Sequence, residues 1–266
     1  MSFFEYFRWR SCVMAKCWQA VKVVFWAGLF VCGFWVAAQP AVASDLLEDW
    51  TGSIFAGYNQ TNGNTEKASG SLTAEAIKKY EKSQITLKSN IFYSESDNSM
   101  DGQKWDALAK YSFDFGKEER WFNFYQVLVD HDYFADIDYR ITPTVGIGYH
   151  ISRTEDWTWD ADAGLGYRIT RYRVNQAQDD EAFTALVHTF MKKKVLENAF
   201  LSEDLTVYPG LESDAGVVLR SESVFTNPLS ESLNLELKYI VDYNSEPAAD
   251  KKKTDTQFVA GIKYEF

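Results

Sequence analysis

The sequence predicts an all-β fold: an antiparallel transmembrane β-barrel of about twelve strands, preceded by a cleaved signal peptide. Three observations carry this expectation. The chain ends on a strand whose final residue is aromatic, its amino terminus has the pattern of an export signal, and its remainder alternates apolar and polar residues at period two.

In the last strand, Phe258, Ala260, Ile262, Tyr264 and Phe266 share one face, and Asp255, Gln257, Lys263 and Glu265 share the other. A soluble strand can alternate in this way but rarely ends the polypeptide on an aromatic residue. The terminal strand of a bacterial outer-membrane barrel does, because the barrel-assembly machinery reads it before it closes against the first strand. Gly261, Tyr264 and Phe266 fit that signal, a glycine followed by apolar residues three and five positions on.

At the other end, Arg8, Arg10, Lys16 and Lys22 form a basic region, Val23 to Ala38 is an unbroken apolar run, and Ala41-Val42-Ala43 is a small-x-small cleavage site. An uncleaved membrane anchor is the alternative, since the run approaches a short span in length. The expected organisation is a signal peptide over 1–43, a short periplasmic segment over 44–50 and a barrel over 51–266. Cys12, Cys17 and Cys32 would leave with the signal, so the mature chain would have no disulfides, thiolate metal sites or cysteine nucleophiles.

The formal net charge is −11, and loss of the basic leader makes the mature chain more acidic still. That balance excludes a nucleic-acid partner, whose phosphates require a basic footprint. The expected partners are outer-membrane lipid and lipopolysaccharide, with divalent cations as candidates, and the assembly machinery during biogenesis. No cofactor is implied.

Twelve alternating segments fall at 51–60, 66–78, 83–94, 103–115, 120–132, 138–150, 156–170, 181–194, 199–209, 214–226, 231–243 and 254–266. An even number puts both termini on the periplasmic side. In the fourth segment Trp105, Ala107, Ala109, Tyr111, Phe113 and Phe115 oppose Lys104, Asp106, Lys110 and Asp114; in the eleventh, Leu233 to Tyr243 at period two oppose Asn234, Glu236, Lys238 and Asp242. Alternation alone does not separate a soluble sandwich from a membrane barrel. The leader, the terminal aromatic and two expected interfacial belts do. Those belts are Trp50, Trp121, Trp157, Trp159 and Phe266 at periplasmic ends, and Tyr58, Tyr93, Trp105, Tyr172 and Tyr243 at outer ends. Ser94 to Gly102, Val174 to Asp180 and Asn244 to Lys253 read as outer loops, longer than the periplasmic turns.

Several short motifs occur in order: Asn62-Gly63-Asn64-Thr65, Glu119-Arg120-Trp121, Asp138-Tyr139-Arg140, Gly146-Ile147-Gly148-Tyr149, Gly164-Leu165-Gly166-Tyr167-Arg168 and Lys253-Thr254-Asp255-Thr256. Together they resemble the family of salt-induced outer-membrane proteins, domain of unknown function 481, over essentially the whole mature chain. The resemblance implies a barrel in the outer membrane of a Gram-negative bacterium. It implies no activity, ligand or catalytic residue.

The glycines at 146, 148, 164 and 166 alternate on strands with no following helix, so they read as room for large inward side chains rather than as a phosphate loop. Asp130, His131 and Asp132, with Asp136 and Asp138 just beyond, form the densest polar cluster. A solvated acidic loop is the plain reading; a rim hydrolase through His131, or a weak metal site at Asp130, Asp132 and Asp136, are the alternatives. His150 falls at the periplasmic end and His188 mid-strand without a serine partner, so no catalytic constellation is expected.

The inward face carries charges of both signs: Lys88, Asp106, Lys110, Asp114, Arg140, Asp160, Asp162, Arg168, Arg220, Glu222, Glu236, Lys238 and Lys263. A Lys or Arg facing lipid at mid-bilayer costs about 2–4 kcal/mol, so these belong inside. Eight strands are filled by side chains and sixteen leave a channel, so a dozen lies between. The leading functional expectation is a narrow channel for ions or small solutes. The second is a non-conducting structural protein of the stressed envelope.

Overall fold

The structure is a computed structural model that describes residues 49–61, 67–97, 99–173, 180–212, 216–247 and 252–266. The expected signal peptide, all but the end of the segment 44–50, and the Asn62 to Thr65 motif lie outside these residues.

Twelve strands form one closed antiparallel barrel: β1 Trp50–Thr61, β2 Lys67–Lys79, β3 Ser83–Ser96, β4 Ser99–Phe115, β5 Trp121–Asp132, β6 Ile137–Arg153, β7 Trp157–Tyr172, β8 Asp180–Lys194, β9 Phe200–Pro209, β10 Val217–Pro228, β11 Leu233–Asn244 and β12 Thr254–Glu265. Each strand pairs with its chain neighbours, and β1 closes on β12 from Ser53↔Glu265 to Tyr58↔Ala260. Closure leaves no sheet edge, which lipid could not satisfy. Among the described residues no helix is long and apolar enough to cross a membrane.

The alternation sorts side chains as the sequence indicates, with apolar residues outside. Val145, Leu165, Phe183 and Phe258 are each more than half exposed, at 53%, 63%, 60% and 54%. A water-soluble protein does not display such a continuous apolar band, whereas lipid requires one. Trp121 packs edge-on against Tyr149 at 4.9 Å, and Trp157 stacks on Trp159 at 5.8 Å, at the end where β1 begins and β12 finishes. Phe266 exchanges two backbone hydrogen bonds with Gly52, at 2.9 and 3.0 Å, and so extends the closing ladder by one residue pair.

Two expectations are corrected. Tyr172 belongs to no outer belt: it is paired with buried Ile137 and lines the interior. Tyr172 keeps the parity of Asp160, Asp162 and Arg168 along β7, so it faces inward with them; its place at a strand end does not override its face. The Ser94 to Gly102 stretch is no long loop. β3 runs to Ser96 and β4 starts at Ser99, with Asp97 at φ 49° in the tight connection and a bulge at Ser94/Glu95. Its polar composition suits a hairpin extending beyond the bilayer, where both faces meet water.

The interior is partly filled. Phe122, Phe124, Leu186 and Tyr208 form a buried cluster, with Leu128 and Val218 packed against it. The inward glycines of β6 and β7 make this packing fit. A Cβ on Gly146 would stand 2.6 Å from the Phe124 ring, and one on Gly148 would overlap the Phe122 ring. Phe124 is fully buried. Phe124→Ala is therefore expected to destabilise the folded barrel by about 3–5 kcal/mol, read as a lowered urea midpoint in detergent.

Candidate functional site

Inside the barrel lies a cavity of about 1550 Å³. Its lining reaches from Lys82 and Glu231, in the turns at the end where β1 begins and β12 finishes, to Asp132 and Lys253 at the other end. Of the inward charges named from the sequence, all but Arg168 line it. Arg168 has an inward register, but its side chain is nearly fully buried and turns to Asp180 at the start of β8, 3.6 Å away.

The wall built by β10, β11 and β12 carries a ladder of alternating charge. Asp242 meets Arg220 at 3.0 Å, Arg220 meets Glu222 at 3.9 Å, and Glu222 meets Lys238 at 3.6 Å. Lys238 meets Glu236 at 3.2 Å, Glu236 meets Lys263 at 3.7 Å, and Lys263 meets Glu265 at 2.8 Å. Lys238, Glu236 and Glu222 are nearly excluded from solvent, and buried charges of this kind persist only when paired. The Lys238 ammonium also lies 3.9 Å from the Phe55 ring centroid.

The opposite side holds two histidine clusters. His188 on β8 lies between Asp162, at 2.8 Å, and Asp204, at 3.3 Å; Lys110 reaches Asp162 from β4 at 3.2 Å. His150 on β6 contacts Asp160 at 2.5 Å and Asp114 at 3.4 Å, and its ring stacks on Phe122 at 4.5 Å. Arg153 joins the second cluster through Asp114 and the His150 ring. In both clusters the ring nitrogens face carboxylates or guanidinium, not a hydroxyl nucleophile. This is a network of side-chain hydrogen bonds.

The rim cluster comes apart in the structure. A bulge between Asp130 and Asp132 leaves His131 without a β6 partner in register. Asp130 is engaged by Arg140 at 2.9 Å. Asp132 accepts the backbone N–H groups of Phe134 and Ala135, closing the turn. His131 stacks on Trp105 at 5.9 Å and bonds the carbonyl of Asp138. Among the described residues no group of three or more His, Cys, Asp or Glu is arranged to hold a metal ion. Of the carboxylates considered for a metal or a hydrolytic water, Asp130 is thus held by Arg140 and Asp132 by the turn.

Lys104, Asp204, Asp242, His150 and His188 also line the cavity and are absent from the set chosen on sequence. Lys104 and Asp242 were within reach, since each lies opposite an apolar face in a clean segment. Asp204 was not, because Phe200–Pro209 alternates weakly.

An exposed apolar band around a polar, charge-lined interior defines a bacterial outer-membrane β-barrel. Solved structures share the fold. The NanC porin matches with a TM-score of 0.50 at 8% identity, covering 80% of this chain and all of that one. An outer-membrane channel from Pseudomonas putida F1 matches with a TM-score of 0.50 at 11% identity, covering 82% and 95%. At these identities the likeness is one of fold. No curated protein matches the chain. The family model described as Protein of unknown function, DUF481 matches residues 54–266, and the chain belongs to that family.

Proposed function

We propose that the protein is a narrow channel for ions or small polar solutes. One observation carries this reading: a single cavity reaches from the turns at one end of the barrel to the loops at the other and is lined by charge of both signs. A protein whose interior served only for strength would gain more from a dry, packed core, since buried ion pairs stabilise less than well-packed apolar groups. The fixed dipoles replace part of the hydration that a solute sheds on entering a narrow pore. Lipid and lipopolysaccharide are the surroundings this reading gives the outer face, and the terminal Gly261, Tyr264 and Phe266 are the proposed handle for the assembly machinery.

The test is single-channel conductance of the purified mature barrel in a planar bilayer. Discrete steps are expected, and Asp106→Asn, which removes a carboxylate held by the Asn90 amide at 2.6 Å, is expected to shift the reversal potential towards anions. A folded barrel without steps would replace the channel reading with that of a structural envelope protein.

A further inference from the structure

Of the contacts between strands that are not neighbours, two reach farthest across the lumen, spanning three or more intervening strands. Lys104 of β4 pairs with Asp242 of β11, although four strands separate these two around one side of the barrel and six around the other. Gln126 of β5 donates to the Tyr208 hydroxyl of β9 at 3.2 Å, across three intervening strands. Wall-to-wall contacts of this kind subdivide an interior that the strand number alone would leave open.

The first contact borders a small void apart from the main cavity. Among Lys104, Asp106, Arg220, Glu222 and Lys238, facing Ser71, Thr73, Asn90 and Gln257, this void measures about 20 Å³. That volume holds about one water molecule. The second contact belongs to the buried Phe122, Phe124, Leu186 and Tyr208 cluster, which closes the opposite side against the glycine-lined wall of β6 and β7. Open space at this level is left between the two ties, bordered by Leu108 and Lys110 of β4 and by Thr206 and Arg220 of β9 and β10.

We infer that the Lys104–Asp242 and Gln126–Tyr208 ties are the size-determining elements of the lumen, confining solutes to the slot between them. The inference rests on the channel reading and adds to it the residues that set which solutes pass. Lys104 is a removable strut. Its carboxylate partner keeps Arg220 at 3.0 Å when the lysine is gone, so the wall does not lose charge balance altogether. The Lys104 ammonium also lies 5.8 Å from the Phe92 ring centroid, a contact that helps hold the long side chain extended across the lumen.

The experiment compares the wild-type mature barrel with Lys104→Met, Tyr208→Phe and the charge-exchanged Lys104→Asp/Asp242→Lys pair. Folding of each is verified by heat-modifiable migration. Two quantities are read: unit conductance with graded polyethylene glycols, and the labelling rate of a single cysteine at Ser112, low in the lumen, by a charged thiol reagent added from the outer side. Lys104→Met is expected to raise conductance, to shift the largest admitted polymer upward and to speed labelling. The exchanged pair is expected to restore wild-type values, which a merely structural role would not produce. Folded Lys104→Met and Tyr208→Phe barrels with unchanged polymer cutoff and labelling overturn the inference. Faster labelling in Lys104→Met alongside a silent wild-type barrel would instead overturn the channel reading and leave the tie in place as a plug.

Discussion

Gly261→Val is expected to abolish closure of the barrel. Gly261 faces inward on β12, opposite Gly57 of β1. A Cβ there would stand 2.6 Å from two carbons of the Phe55 ring and closer still to the Ala56 carbonyl oxygen. The ring could rotate away, but the carbonyl is part of the β1 backbone and takes no other position without breaking the closing ladder. Overpacking typically costs about 1–3 kcal/mol, and a clash with backbone at the last seam to form falls at or above the top of that range. The measurement is the folded fraction after refolding into detergent, read by heat-modifiable migration. Gly70→Ala is the control: a Cβ at that position on β2 meets nothing within 4 Å. Its folded fraction is expected to match wild type. Equal loss in both variants would show that glycine content, not the Phe55 contact, governs closure.

The second large effect is expected from Lys238→Met. The lysine is the shared cation of Glu222 and Glu236, at 3.6 and 3.2 Å, and all three are nearly excluded from solvent. Methionine keeps most of the volume and removes the charge. The two buried carboxylates then keep only Lys263, 3.7 Å from Glu236, and Arg220, 3.9 Å from Glu222, as ladder cations. Removing one partner of a buried pair costs about 3–5 kcal/mol. The urea midpoint of the folded barrel is expected to fall accordingly, and Lys238→Arg is expected to recover most of the loss. An unchanged midpoint would mean that water already screens the ladder.

Much of the fold was legible because the period-two pattern is enforced twice, by lipid on one face and by charge on the other. In β4 and β11 no inward charge could face outward without meeting the bilayer, so strand identity and register follow from the residues alone. Strand ends were less legible: beyond the membrane both faces are wet, so Ser94 to Gly102 reads as a loop although it pairs as a hairpin. Tyr172 was legible as inward, since it shares the parity of Asp160, Asp162 and Arg168 on β7; an aromatic at a strand end is not by itself a belt residue. The candidate site was legible as a set of inward charges but not as a geometry. Which lysine reaches which carboxylate depends on the cross-section of the ring, and the Lys104–Asp242 contact joins residues 138 apart in sequence. Likewise, His188 acquires Asp162 and Asp204 only once β7, β8 and β9 lie side by side.

The ladder on β10 to β12 has a consequence for any ion in its vicinity. Charges of alternating sign a few ångströms apart largely cancel when viewed from a distance greater than their spacing. Counted with Lys104, which reaches Asp242 from β4, the four carboxylates of the wall meet four cations, so the wall is close to neutral despite being crowded with charge. That balance depends on every rung being present. Loss of one rung exposes a whole elementary charge, and in a passage narrower than the Debye length of about 8 Å no point in the cross-section escapes its field. A neutral wall built from strong opposites thus lies one residue from cation preference at Lys238 and one residue from anion preference at Glu236.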